Sequence, residues 1–187
     1  MVESSENISP RDYKRIKDFI KEAATYLSRS DNEQQVGVIV FNTEAKISIK
    51  FGQYWSEYDF DRAIDDLPLN TGPSQLDTAL RVATKLFTAE NGARPGVQKV
   101  GIVLTNGKHP AVEDLEDLKD VVRPLHQAGV HVIPIGVTSS VDWKKLRSLT
   151  VDDKDVIVSH SCDSLSNKIN YLFRRICLEA GKEKTLF

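Results

Sequence analysis

Cysteine is scarce in this chain: 187 residues hold only Cys162 and Cys177. The two form no Cys-x-x-Cys pair, and no histidine is spaced with them as a zinc ligand set. If Ser164 to Cys177 is helical, the thiols sit about four turns apart, roughly 20 Å at 1.5 Å per residue, beyond disulfide reach. Long apolar runs are missing too. None approaches the roughly 20 residues that span a bilayer, so membrane insertion is not expected. Met1 is followed by acidic and polar residues rather than an apolar segment, so no secretory leader is read. The expectation is a cytosolic chain or a piece of something secreted. Charge of one sign is also lacking, since the net charge is -2. Basic residues are interleaved with acidic ones, as in Glu113-Asp114-Leu115-Glu116-Asp117-Leu118-Lys119-Asp120, which reads as a solvated helix face. That gives no case for nucleic acid or an anionic membrane. The signatures of catalysis are absent as well. No G-x-G-x-x-G or P-loop follows a strand, no G-x-S-x-G elbow occurs, and no helix carries paired metal ligands. His109, His126, His131 and His160 are scattered, and no Ser, His and Asp set is assembled. An enzyme is not expected.

What is present is an ordinary globular composition, 40% hydrophobic and 28% charged, long enough for one domain with a sizeable core. Val100 to Leu104 is a short continuous apolar run ending in the turn pair Asn106-Gly107. Apolar on both alternating faces, it reads as a strand buried between helical layers, and ligands sit beyond the carboxyl ends of such strands. Gln35 to Asn42 and His131 to Val137 read as further buried strands. Lys46 to Phe51 alternates polar and apolar and reads as a half-exposed edge, antiparallel to the strand before it. Asp155 to Ser159 is a short strand. Ser9-Pro10-Arg11-Asp12 opens the first helix with a cap, a proline at the first helical position and an acid at the third. Helices are also predicted over Tyr58–Leu67, Ser74–Phe87, Val112–Ala128, Trp143–Leu149 and Ser164–Leu178. Ser74 with Asp77 makes a good cap for its helix. The alternation predicts an α/β fold, a doubly wound, mostly parallel sheet with one antiparallel edge strand and helices on both faces.

One element is missing from that pattern. A strand should precede the first helix, but only Met1 and Val2 stand before a polar loop, Glu3 to Asn7. The expectation is that the first strand is lost or supplied by another segment. Two strand edges would then be unpaired, and the chain marginal alone against a typical net stability of about 5–15 kcal/mol.

Several pieces, in order and spacing, resemble the von Willebrand factor type A domain. They are Ser5-x-Asn7-Ile8-Ser9-Pro10 before a helix, Val38-Ile39-Val40-Phe41-Asn42-Thr43, Gly72-Pro73-Ser74-Gln75-Leu76-Asp77-Thr78-Ala79-Leu80, Val103-Leu104-Thr105-Asn106-Gly107, and Ala128-Gly129-Val130-x-Val132-x-Pro134-Ile135-Gly136-Val137. The resemblance covers residues 1–180 as one Rossmann-like domain, with 181–187 a tail. It implies a non-enzymatic, protein-binding adhesion module of extracellular-matrix or cell-surface type, contacting a matrix protein such as collagen or a cell-surface receptor. It also implies an extracellular location and self-association as a further option. In secreted members a cysteine after the last helix commonly pairs with one before the first strand, so the resemblance implies that Cys177 is an orphan thiol in a fragment or shortened form.

Many members bind through a divalent metal, the metal-ion-dependent adhesion site, with an Asp-x-Ser-x-Ser pattern, a Thr and a second Asp. Mg²⁺ wants oxygen ligands in an octahedron and keeps some waters. Here Glu3 stands for the first Asp, Ser5 matches the first Ser, Asn7 replaces the second, Ser74 stands for the Thr and Asn106 for the second Asp. Oxygen survives at all five places, but two carboxylates become one. The expectation is a degenerate site that holds Mg²⁺ or another divalent cation weakly or not at all. The alternative function is a structural or self-assembly matrix domain that has lost its metal. Asn106-Gly107 is also a deamidation-prone pair, and conversion to Asp would restore the second carboxylate. His109 is a candidate partner contact beside that turn. Tyr54 and Trp55, in the Gly52–Tyr58 segment, are candidate anchors, with capping of the core as their bland reading.

Overall fold

The computed structural model describes residues 1–28, 34–108, 115–138 and 141–183. A six-stranded sheet runs β3-β2-β1-β4-β5-β6. The strands are β1 (Val2–Glu3), β2 (Val38–Phe41), β3 (Ala45–Ile49), β4 (Lys99–Thr105), β5 (Val130–Gly136) and β6 (Ile157–Val158). All pairings are parallel except β2 with β3. The helices are α1 (Pro10–Ser28), α2 (Glu57–Asp65), α3 (Leu76–Leu86), α4 (Leu115–Gln127), α5 (Trp143–Arg147) and α6 (Ile169–Glu183).

Two apolar layers sandwich the sheet, as alternation along each strand requires. Val38, Val40, Ile133 and Ile135 face Ile16 and Phe19 of α1, Ile64 of α2 and Leu172 of α6. Ile39, Phe41 and Val132 face Leu80 of α3, Leu125 of α4 and Leu146 of α5. The Ser9 cap forms as read: Ser9 Oγ accepts from the Asp12 amide at 3.1 Å and donates to its Oδ2 at 2.7 Å.

The first strand is not missing. Val2 pairs with Val40 on one side and Leu104 on the other, and Glu3 pairs with Phe41. The ladder extends one residue each way. Met1 N donates to Ile102 O at 2.7 Å, Leu104 N to Met1 O at 2.9 Å, and Ser4 N to Phe41 O at 2.7 Å. Four residues therefore fill the gap at the centre of the sheet. The unpaired edges do not exist, and the expected marginal stability loses its basis.

Two helix starts also differ. Ser74 does not cap α3: Gln75 occupies the cap position, and no side chain caps that end. The Gln75 amide donates instead to Asn42 O at 2.7 Å, which turns Ser74 inward. The last helix begins at Ile169 rather than Ser164, after two 3-10 turns, Cys162–Ser164 and Ser166–Lys168. Ser164 Oγ donates to Ser161 O at 2.9 Å, the local bonding by which serine competes with helix.

Candidate functional site

The parallel strands end together at one rim, and four of the five candidate ligand positions meet there. Glu3 closes β1, Ser5 follows it, Asn106 follows β4, and Ser74 sits in the loop before α3. All four are 0% exposed. Asn7 lies at the surface above them. Its carbonyl accepts from Asn106 Nδ2 at 3.3 Å.

Glu3 is the hub. Its Oε1 accepts from Ser5 Oγ at 2.7 Å, and its Oε2 accepts from Thr105 Oγ1 at 2.6 Å and from the Asn106 amide at 2.9 Å. Three of a carboxylate's roughly four lone-pair positions are thus filled by the protein's own donors. Asn106 is committed as well, since its Oδ1 accepts from the Lys108 amide at 2.8 Å. Ser74 Oγ differs: it is buried and has no hydrogen-bond partner among the described residues. A divalent cation needs several acceptor oxygens converging on one point, at least one or two of them carboxylate. Here hydrogens converge on the lone carboxylate, and the orphan hydroxyl is neutral. The donor set as arranged does not fit a tightly held dication.

Two contributors were not singled out in the sequence. Thr105 anchors Glu3, and its Oγ1 also accepts from the Gly107 amide at 3.1 Å. Ser4 Oγ ties β1 to the neighbouring loop, donating to Pro68 O at 2.8 Å and accepting from the Asn70 amide at 2.7 Å. Each is adjacent to a motif position, which was the available signal. Gly107 lies at φ +71° on the backbone of residues 141–142; a Cβ there would stand 3.1 Å from the Asp142 amide. The Gly107 nitrogen, the nucleophile of deamidation, is engaged here as a donor to Thr105 Oγ1.

Two of the remaining candidates are placed elsewhere. His109 lies outside the described residues. Tyr54 and Trp55 are at the opposite end of the sheet. β3 runs antiparallel, from Ala45 opposite Phe41 to Ile49 opposite Val38, so the chain after it emerges at the amino ends of the parallel strands. Trp55 is 88% exposed and caps no core.

A family model, von Willebrand factor type A domain, matches residues 1–171. Matrilin-1 of Gallus gallus is 25% identical over 182 residues, covering 96% of this chain and 36% of that protein. The collagen alpha-6(VI) chain of Homo sapiens is 27% identical over 184 residues, 97% of this chain and 8% of that one. The chain thus spans about a third or less of the length of these relatives. Proximal thread matrix protein 1 of the mussel byssus, solved with a zinc-occupied MIDAS motif, superimposes with TM-score 0.81 at 24% identity, over 91% of this chain and 46% of that one. With a family model spanning most of its length and a six-stranded sheet of matching architecture, this chain belongs to the von Willebrand factor type A domain family.

Proposed function

We propose that this domain is a non-enzymatic binding module of extracellular-matrix or cell-surface type, and that its rim loops contact a protein partner without a tightly held cation. The single observation that carries this reading is the Glu3 carboxylate, which accepts from Ser5, Thr105 and Asn106 instead of presenting free oxygen. Matrix names among the relatives and the thread matrix protein support the setting. The zinc-occupied neighbour supports the rim as the place where the fold engages ligands. Asn7, which lies over the buried Asn106, and the Gly72 loop, whose carbonyl accepts from the Glu6 amide at 3.1 Å, are the surfaces offered to a partner.

The test is titration calorimetry with Mg²⁺, Mn²⁺ and Ca²⁺ on the wild type and on Asn106→Asp. The expected result is no binding at micromolar cation by the wild type, and a gain of at least tenfold in Mn²⁺ affinity when the second carboxylate is restored. Micromolar affinity in the wild type overturns the cation-free reading. A variant that gains nothing shows that charge at position 106 was not the limiting feature. Ser74→Ala separates the roles further: losing an orphan hydroxyl leaves the melt in EDTA unchanged or raises it.

A further inference from the structure

Away from the rim, two exposed patches carry opposite charge and share an aromatic centre. The first follows β3. Gln53 through Asp59 are all exposed, and they include Tyr54 at 37%, Trp55 at 88% and Tyr58 at 69%. Among these exposed residues Glu57 and Asp59 are the acids, whereas Asp65, further along α2, is already paired with Lys21 of α1 at 2.7 Å. The Arg62 guanidinium already stands over the Tyr58 ring, 5.9 Å from its centroid. A cation on an aromatic face is therefore an arrangement this surface supports. The second patch is α5, Trp143-Lys144-Lys145-Leu146-Arg147, where Arg147 faces Asp153 at 3.7 Å and Lys144 and Lys145 follow the Asp142 cap. Leu146 is its buried anchor and Trp143 is half exposed.

The fold sets the patches at opposite poles. The aromatic-acidic patch lies at the amino ends of the parallel strands, on α2 in the layer of α1. Helix α5 begins beside Gly107 at the carboxyl ends, in the layer of α3 and α4. One copy cannot bring them together, but two copies can. We propose that the two patches are complementary halves of a head-to-tail contact between copies of this chain. In it Trp55 and Tyr58 receive Lys144 and Lys145, while Glu57 and Asp59 supply the opposing charge. The two halves are different surfaces at different ends, so the contact is heterologous and leaves one patch open at each end. It builds chains of domains rather than a closed dimer. This inference does not rest on the rim reading, and the Asn106→Asp variant leaves it untouched.

The experiment is sedimentation velocity and equilibrium on the full 187-residue chain, up to about 1 mM, where a contact with a Kd of about 1 mM is well populated. Average mass should rise continuously with concentration and fall back toward the monomer at 1 M salt, because exposed charge pairs are screened there. Trp55→Ser, at a site too exposed to matter for folding, should weaken association by roughly tenfold, as for loss of one aromatic anchor. Glu57→Lys with Asp59→Lys, and separately Lys144→Glu with Lys145→Glu, should each abolish self-association. An equimolar mixture of the two variants should restore it. Circular dichroism melts confirm that each variant is folded. A monomer at every concentration overturns the proposal, as does association indifferent to Trp55 or a mixture that stays monomeric. Capture of an arginine-rich peptide at Trp55 by a chain that never self-associates also overturns it, assigning the patch to a basic partner.

Discussion

Removing the Glu3 side chain tests whether the rim is held together by its own carboxylate. In Glu3→Ala, the Asn106 amide loses its acceptor at 2.9 Å in a fully buried position, and a backbone N–H cannot turn to find another. The Ser5 and Thr105 hydroxyls lose acceptors at 2.7 and 2.6 Å, but they can rotate. A hydrogen bond to a charged group contributes about 1.5–3 kcal/mol, and a stranded buried donor costs about 1–3 kcal/mol. The gain from no longer desolvating a carboxylate offsets part of this. The net expectation is a loss of about 3 kcal/mol, dominated by the Asn106 amide. For a domain of this size, each kcal/mol moves the midpoint by about 2–4 °C, so the melt should fall by about 6–12 °C. Glu3→Gln is the informative control. Its carbonyl oxygen can keep Thr105 and Asn106 while its amide faces Ser5, whose hydroxyl turns to accept, so it should lose only about 1 kcal/mol. Calorimetric melts in EDTA remove any contribution from cations. If Glu3→Ala melts within about 2 °C of the wild type, the carboxylate is not the brace described, and the argument for its commitment fails.

The structure makes other demands. Arg175 donates from Nε to Asp155 Oδ1 at 2.7 Å and from a terminal nitrogen to Asp152 at 2.9 Å, and His131 Nε2 stands 2.9 Å from the other Asp155 oxygen. Arg175→Ala leaves the buried Asp155 without its guanidinium and should cost about 3–5 kcal/mol in urea denaturation, where an unchanged midpoint would contradict a buried pair. Burial pushes the Tyr13 phenol up to about 12 from 10, so it should ionise late in an ultraviolet titration of the folded protein. The unfolded phenol ionises first, so this contribution is complete below pH 10 and is lost as the pH rises to about 12, a loss of about 2–3 kcal/mol in stability. Cys162 is buried with its thiol pushed up to about 12, mainly by desolvation, whereas Cys177 is exposed. A disulfide reagent near neutral pH should therefore find one fast thiol in the folded chain and a second only on unfolding.

The elements that could be read in advance were those whose signal is local. The Ser9 cap, the apolar run of β4 and the antiparallel alternation of β3 depend on neighbours in sequence, and all formed. β1 carries no such signal. Two residues cannot show a period, and Glu3 is an acid buried where a strand would be expected to be apolar. Its strand character is conferred by β2 and β4, which offer ladders on both sides. Ser74 failed the opposite way. It satisfies a local capping rule, but the bond from the Gln75 amide to Asn42 O places it in the rim. Tyr54 and Trp55 show what the same alternation implies for the loop that follows β3. An antiparallel edge strand delivers the loop after it to the end of the sheet away from the ligand site.

Glu3 and Asn106, which by resemblance stand in the places of two aspartates, make physical sense together. One buried carboxylate can be balanced by neutral donors, and the rim supplies three from Ser5, Thr105 and the Asn106 backbone. A second carboxylate at position 106 would face the first across the same donors, and like charges at that separation disfavour each other unless a cation lies between them. As an amide, Asn106 removes that conflict and adds a bond of its own, from Nδ2 to the Asn7 carbonyl, that a carboxylate could not make. The Glu3 side chain reaches from the end of β1 to the end of β4, so the two central strands are tied directly by the protein's own bonds. On the proposed reading, what this chain gave up in charge it replaced with a hydrogen-bonded brace. The rim keeps its shape for a protein partner while its need for a cation falls away.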